Sequence, residues 1–197
     1  MEESRGGPSL SDGVVLLRPW VAGDAPAVYA ACQDAEIARW TNVPQPYLPE
    51  HAEGFIAHSI EAWREGTAAM FAITDANGRE MLGSISREPM NGHIAEFGYW
   101  LAPQARGKGA ATRALRLIVD WTLATTSAIR LESYTDAGND RSGAVLLRAG
   151  FEREGVRRAW DLDRASNPID SIFYVRLRGD PVRPAGAELS DPRFRSA

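Results

Sequence analysis

The chain has 197 residues, 44% hydrophobic and 24% charged, the composition of an ordinary globular domain, which excludes collagen-like repeats and wholesale disorder. With 22 Lys+Arg against 26 Asp+Glu the net charge is −4; that sum argues against a nucleic-acid partner or a basic membrane-surface protein and leaves room for a local basic site. Cys32 is the one cysteine and His51, His58 and His93 are scattered, so no intrachain disulfide and no metal site are expected.

Residues 1–9 are polar and rich in Gly, Pro and Ser, and the stretch 179–197 is rich in breakers. Both read as tails, the second a flexible one, around a single domain at 10–178. No basic-then-apolar leader is present and no apolar run approaches the roughly 20 residues of a membrane helix, so a cytoplasmic protein without a membrane partner is expected. Within the domain, residues 14–18 form a short strand stopped by Pro19. Asp24 is placed to cap a helix over the Ala-rich stretch 25–33. In the loop 41–47, Pro44 and Pro46 bar regular structure because they lack a backbone donor. Pro49 suits the first turn of a second helix, with Phe55, Ile56, Ser59, Ile60 and Trp63 along one stripe and Gly66 at its end.

Residues 69–74 and 81–87 flank Asn77-Gly78, a hairpin signal, and 94–101 completes an antiparallel meander. The period then changes: Ala111, Ala114, Leu115, Ile118 and Trp121 share one helical face. Residues 129–134 alternate as a strand. Asn139 caps a helix running through Val145, Leu146 and Ala149, with Gly150 as its stop. Two last strands, from Phe151 onward and over 169–177, are parted by the turn-rich segment 161–168. The order predicts an α/β (α+β) domain on one mixed sheet.

Chemistry concentrates between Tyr99 and Ala111. A strand ends there, Pro103 bars its continuation, and Gly107 and Gly109 open a helix. Unpaired N–H groups, the positive end of the helix dipole and the charges of Arg106 and Lys108 suit a pyrophosphate. The spacing is neither a Walker loop nor a dinucleotide fingerprint. An ordinary Gly-rich helix start is the alternative.

Gln104-x-x-Gly107-x-Gly109, between a strand and a helix, resembles the acyl-CoA pyrophosphate loop of the GNAT acetyltransferase superfamily. Asn139-x-x-Ser142 followed by Ala149-Gly150-Phe151 is similar to the second CoA element of that family. Leu16-Leu17-Arg18-Pro19-Trp20, Ala38-Arg39-Trp40 and Pro46-Tyr47 resemble its ribosomal-protein alanine N-acetyltransferase (RimJ/RimL-like) branch. The resemblance implies a GNAT-like single domain whose mixed, mostly antiparallel sheet splays between two central parallel strands, here 94–101 and 129–135, flanked by helices. It implies acetyl-CoA, or another acyl-CoA, as co-substrate in the splay. The main chain of Leu101 and Ala102 would pair with the pantetheine amides, and an N–H freed near a bulge would face the oxyanion. Gln104, Ala105, Arg106, Gly107, Lys108, Gly109, Ala110 and Ala111 match the pyrophosphate loop, and Asn139 matches the residue that holds the pantetheine arm. A plain helix cap is the other role open to Asn139.

Many relatives carry a general-acid Tyr four residues before the Gly of Gly-Phe. Leu146 stands there in this chain, which leaves Ser142, Tyr174 or water to meet the departing thiolate; Ser142 as a mere helix-start residue is the alternative. An amine attacks only when neutral, so a base is needed. Glu96 is the candidate, on one strand face with Gly98 and Trp100, and Glu132 is the second choice. A sheet carboxylate without catalytic duty is the bland reading of Glu96. Trp40, Tyr47, Phe55 and Trp100 are candidate walls for the acceptor, against ordinary packing. The expected function is N-acyl transfer, most simply of acetyl, to a primary amine of a protein N-terminus or a small molecule, by direct attack through a tetrahedral intermediate. Two alternatives stay open: a succinyl-CoA donor read by Arg39, Arg87 or Arg130, and a non-catalytic acyl-CoA-binding module. A homodimer would match many relatives.

Overall fold

A computed structural model describes residues 7–181. Its strands are β1 (Leu10–Ser11), β2 (Val15–Pro19), β3 (Ala69–Asp75), β4 (Met81–Arg87), β5 (Ile94–Leu101), β6 (Arg130–Asp136), β7 (Glu152–Leu162) and β8 (Pro168–Leu177). The helices are α1 (Ala25–Ala31), α2 (Ala35–Trp40), α3 (Pro49–Glu65), α4 (Ala110–Thr125) and α5 (Asp140–Arg148). One eight-stranded sheet runs β1-β2-β3-β4-β5-β6-β8-β7. Every neighbouring pair is antiparallel except β5 and β6, which are parallel and joined through α4. The expected mixed, mostly antiparallel sheet with flanking helices is what the chain builds.

Both sheet faces are covered, and the strand alternation shows why. Phe71 and Ile73 of β3 join Ile85, Phe97, Ala114, Leu115 and Ile118 in the core beneath α4 and α5. Ala72 and Met70 point the other way, into a second core with Trp20, Val28, Ile37 and Ile56 under α1, α2 and α3. Trp63, near the end of α3, stacks edge-on against Phe71 and tilts against Trp121, tying the helical layers together at the sheet's rim. The Asn77-Gly78 turn forms as expected, with Gly78 N–H on Asp75 O at 2.9 Å.

Several boundaries differ from the sequence reading. Asp24 stands at the N-cap position of α1 as expected, but its side chain makes no cap bond there. Its carboxylate takes both guanidinium nitrogens of Arg18 at 2.8 Å and the Val21 N–H at 3.0 Å. Burial works to raise the pKa of Asp24, and Arg18 with the Val21 N–H outweighs it, holding the carboxyl below its usual range. The helix α2 lies where no element is expected: Asp34 caps it by accepting the Ile37 N–H at 3.0 Å, and its six residues are too few for a visible period. β7 runs through to Leu162, taking only Asp161 and Leu162 from the expected turn segment. At the N-terminal side, Leu10 and Ser11 pair with Leu17 and Leu16, and Gly7 lies so close to the Trp63 ring that a Cβ there would sit 2.5 Å from it; the chain is anchored from residue 7. The expected C-terminal tail lies outside the described residues from 182 onward.

Candidate active site

Pairing between β5 and β6 covers Ile94↔Arg130, Ala95↔Leu131 and Glu96↔Glu132 and then stops, although β5 continues to Leu101 and β6 to Asp136. Beyond that point β5 stays zipped to β4 as far as Gly83↔Leu101, and β6 to β8 as far as Asp136↔Ser171. The sheet is therefore split between two intact halves, with one last stitch where Ser133 Oγ donates to Phe97 O at 2.8 Å. No register shift marks the β4–β5 ladder; the expected bulge is not there, and the freed backbone groups come from the split itself.

Alternation decides which groups are freed. Glu88 N donates to Glu96 O and Ala102 N to Leu82 O, both at 2.9 Å. Even-numbered residues of β5 thus aim their polar backbone at β4, and odd-numbered ones at β6. The N–H groups of Tyr99 and Leu101 face the split. Ala102 does not: its N–H belongs to Leu82 and it is buried at 1% exposure, so its expected pairing with a pantetheine is corrected. The Leu101 carbonyl is taken by the Arg106 guanidinium, with Nη2 at 3.1 Å.

The turn after β5 carries Gly107 at φ +74° and Gly109 at φ +80°. Those values lie in the left-handed region that only glycine adopts cheaply. A Cβ at either position would meet nothing within 4 Å, so the backbone twist, and not crowding, requires glycine here. The first α4 backbone bond runs from Arg113 N to Gly109 O at 3.1 Å. The N–H groups of Ala110, Ala111 and Thr112 therefore precede the helical ladder and form, with the dipole, an anion-seeking end. Gln104 and Lys108 are exposed, whereas Ala105 is buried in the core. Arg106 is turned away from a phosphate role: its guanidinium forms an ion pair with Asp34 and its N–H donates to Pro103 O at 3.3 Å. That pair, ahead of the opposing effect of burial, holds Asp34 below the usual carboxylate range. It also fastens the turn to α2.

On the far side of the split, Asn139 Oδ1 accepts the Ser142 N–H at 3.2 Å. The cap uses the carbonyl end of the amide, and Nδ2 is a separate donor, so the two readings of Asn139 are compatible. Ser142 Oγ lies 2.8 Å from the Tyr99 hydroxyl. Leu146 is fully buried in the core at 0% exposure. Tyr174 is buried as well, its hydroxyl so close to Gly143 that a Cβ there would sit 2.4 Å away.

A cavity of about 1640 Å³ follows the split. Leu101, Gly107, Gly109, Asn139 and Ser142 line it, as do Trp40, Glu96 and Trp100. Side chains of β5 divide between the two faces: Phe97 and Tyr99 pack toward α4, Trp100 toward the second core. Glu96 shares the Trp100 face and is half-buried. Burial, the ladder partner Glu132 and Glu88 all raise its pKa. Glu132 itself is engaged by Arg130 Nε at 2.7 Å. Trp40 donates Nε1 to Glu36 at 3.2 Å with Arg39 stacked 4.4 Å above its ring. Tyr47 is not brought to the cavity; it is 6% exposed in the second core, with its hydroxyl against Cys32. Of the arginines weighed for a succinyl group, Arg130 is bound to Glu132 and Glu154, and Arg87 is buried with Nη1 on Glu88 O; Arg39 alone of the three lines the cavity.

The split sheet and glycine turn agree with the family comparison, in which the model for the acetyltransferase (GNAT) domain matches residues 15–152. The chain belongs to the GNAT acetyltransferase family. An N-acetyltransferase of Bacillus subtilis, YoaA, is 24% identical over 169 residues, covering 85% of this chain and 95% of its own. Among solved structures, the RimL ribosomal L7/L12 alpha-N-protein acetyltransferase in complex with CoA superposes with a TM-score of 0.76 at 22% identity, over 83% of this chain and 94% of its own. A microcin self-immunity acetyltransferase in complex with acetyl-CoA and AMP gives 0.79 at 20%, over 89% and 100%. This GNAT acetyltransferase has, among its described residues, no helix long and apolar enough to cross a membrane and no cluster of side chains suited to a metal ion.

Two site features escaped the sequence reading. Tyr99 sits in the quoted motif, but its partner Ser142 is 43 residues away. Arg164, in the turn between β7 and β8, lines the cavity and reaches α2 and the α2–α3 loop. Its Nε donates to Ala38 O at 2.8 Å, and its Nη2 to Thr41 O at 3.1 Å and Val43 O at 2.7 Å. No sequence signal marks such a clasp.

Proposed function

We propose that this GNAT acetyltransferase moves an acetyl group from acetyl-CoA to a primary amine by direct attack, with Glu96 serving the amine from one sheet face and Ser142 serving the leaving sulfur from the other. The observation that carries this reading is the end of β5–β6 pairing at Glu96↔Glu132. The gap opens one residue beyond the candidate base, and Tyr99 N–H and Leu101 N–H line it. Bound there, acetyl-CoA supplies an activated acyl carbon; everything else comes from the chain.

The anion-seeking start of α4 holds the pyrophosphate by main-chain N–H groups, and Asn139 Nδ2 and Leu101 N–H steady the pantetheine. Glu96, whose pKa is raised by burial and by Glu132 and Glu88, takes the amine proton directly or through a water. The neutral amine nitrogen then bonds to the acyl carbon and the carbonyl electron pair moves onto oxygen; Glu96, having passed the first proton to solvent, takes the second from the nitrogen, and Tyr99 N–H faces the charge on oxygen. When that pair returns, the C–S bond breaks and its electrons leave with sulfur. A thiol ionises near 8.5, far below an aliphatic hydroxyl, so Ser142 donates a hydrogen bond to the thiolate and keeps its proton.

The cavity lining includes the carboxylates Glu36, Glu96, Asp136, Asp161 and Asp163 beside Arg39 and Arg164, and Arg39 and Arg164 are engaged with the Trp40 ring and with backbone carbonyls. That lining suits a cationic amine, whether the N-terminus of a protein or a small molecule. Release of CoA thiol, followed with a panel of amines and N-terminal peptides and with acetyl- and succinyl-CoA side by side, tests the reading. Thiol release that depends on the amine is expected. CoA binding without turnover on any acceptor would convert the protein into a binding module.

A further inference from the structure

Ser142 is held from three directions. Its N–H is received by Asn139 Oδ1 at 3.2 Å and by Asn139 O at 3.1 Å, both in the cap of α5. The third hold comes from across the split. Tyr99 stands on β5 beyond the last rung with β6, and its hydroxyl lies 2.8 Å from Ser142 Oγ and 3.1 Å from Ser142 O. The strand that loses its neighbour therefore touches, through one phenol, the helix that follows that neighbour.

Counting hydrogens shows what the contact can do. The phenol has one hydrogen and two acceptors, Ser142 O and Ser142 Oγ; the serine hydroxyl has one hydrogen of its own. In the first arrangement Tyr99 donates to the carbonyl and Ser142 donates to the phenol oxygen, so the serine hydrogen is occupied. In the second, Tyr99 donates to Oγ, and the serine hydrogen is free for a third partner. Only the second leaves a donor for a sulfur lying in the split. Converting one into the other takes two hydroxyl rotations and no movement of heavy atoms.

We propose that Tyr99 is a positioning residue for the leaving-group step: it holds Ser142 Oγ at the edge of the split and, by turning its own hydrogen onto Oγ, frees the serine hydrogen for the departing thiolate. This rests on the role given to Ser142 under the proposed function. Burial, and secondarily Tyr174, raise the phenol's pKa against the opposing effect of Ser142, so the donor stays neutral throughout the working range. Leu146, at the position of the relatives' Tyr, is apolar, and Tyr174 is packed on Gly143. No proton is transferred through the relay. The amine's two released protons go in turn to Glu96 and on to solvent, the C–S electrons leave as thiolate, and Tyr99 and Ser142 end the step as they began it.

A double-mutant cycle tests this on the full chain. Tyr99→Phe, Ser142→Ala and the double variant are compared for kcat, for the acetyl-CoA KM and for CoA affinity. Tyr99→Phe removes one oxygen; it is expected to lower kcat about tenfold, the worth of one good hydrogen bond, with the acetyl-CoA KM within about twofold. Ser142→Ala should lose at least as much. The double variant should match Ser142→Ala, because without Oγ the phenol has nothing to position. Additive losses, or wild-type kcat in Tyr99→Phe beside a slow Ser142→Ala, overturn the role of Tyr99 and leave the proposed function standing. Wild-type kcat in Ser142→Ala removes the serine's role and the relay with it. Should Tyr99→Phe melt well below the wild type, 3-fluorotyrosine at the same position keeps the shape and a stronger donor. Retained kcat there supports the relay, and a tenfold loss overturns it.

Discussion

On the proposed reading the CoA side of the cavity is built chiefly from the run between Leu101 and Thr112, with Asn139 and Ser142 across the split, whereas the acceptor side draws Trp40, Glu96 and Arg164 from α2, β5 and the β7–β8 turn. The first is set by backbone: two glycines at positive φ and the bare N–H groups that start α4. The second is set by side chains that meet only after the sheet has formed. A backbone site of this kind is indifferent to most substitutions outside its glycines. A side-chain site can change specificity one residue at a time while the donor chemistry stays put. The two sides meet where β5 parts from β6, so one strand carries the proposed base on one face and the hold on Ser142 on the other.

The sharpest way to break the comparison is at the donor end. Gly107→Glu places a carboxylate against the bound phosphates and forces a φ of +74° on a residue with a Cβ. Open space around that Cβ leaves room for the side chain, so the fold persists at a cost of about 1–2 kcal/mol. CoA affinity measured by calorimetry should fall by about 10²-fold or more. Gly107→Ala carries the same strain without the charge and should fall much less. Unchanged CoA affinity in Gly107→Glu would show that the phosphates sit elsewhere.

How much of each end was legible in the sequence follows from how each is built. Gly107, Gly109 and the strand–turn–helix setting are local, and the expected boundaries of β5 and the start of α4 match the structure closely. The period-two rule put Glu96, Gly98 and Trp100 on one face. Arg106 misled because its charge stands in the phosphate loop while its partner, Asp34, caps a helix too short to show a period. Tyr47 misled because prolines beside an aromatic suggest a rim, yet the ring is held in the second core beside Cys32 and His51. Arg164 left no trace, since its three acceptors are backbone carbonyls more than 120 positions away and any residue supplies those.

Glu96 tests the meeting point. Burial, Glu132 and Glu88 favour its protonated form, so its pKa lies above that of an ordinary glutamate. A base works only when ionised; the rate should therefore rise with pH through that raised value and then again as the amine itself loses its proton. Glu96→Gln should lower kcat/KM by about 10²-fold, the low end for a positioned base, and should erase the acidic limb while keeping the amine's. A variant profile with both limbs intact would remove Glu96 from the proton path.

At the acceptor side, Arg164→Ala deletes three hydrogen bonds, one to α2 and two to the α2–α3 loop. The clasp is exposed, so its worth is tempered by water. The acceptor KM should rise about three- to tenfold with CoA affinity unchanged, a loss of binding without a loss of chemistry. Arg164→Lys, which cannot span three carbonyls with a planar fork, should resemble the alanine variant more than the wild type. Equal effects on both substrates would mean that the clasp supports the whole cavity and that its two ends are not independent.

Tyr47→Phe gives the smallest expected effect and the finest test of where the acceptor end stops. The hydroxyl is buried against Cys32, whose own pKa is pushed up to about 11 by burial, so its removal should cost about 0.5–1.5 kcal/mol in a denaturant melt. The ring keeps its packing against His51, and the cavity wall that starts at Trp40 is untouched. Kinetic constants for every acceptor should therefore stay within about twofold of the wild type. A specific rise in acceptor KM would mean that the 41–47 loop opens during turnover and brings Tyr47 to the substrate. The cavity and the second core would then share a moving wall, and the contrast between a backbone-built donor end and a side-chain-built acceptor end would become one between a rigid end and a mobile one.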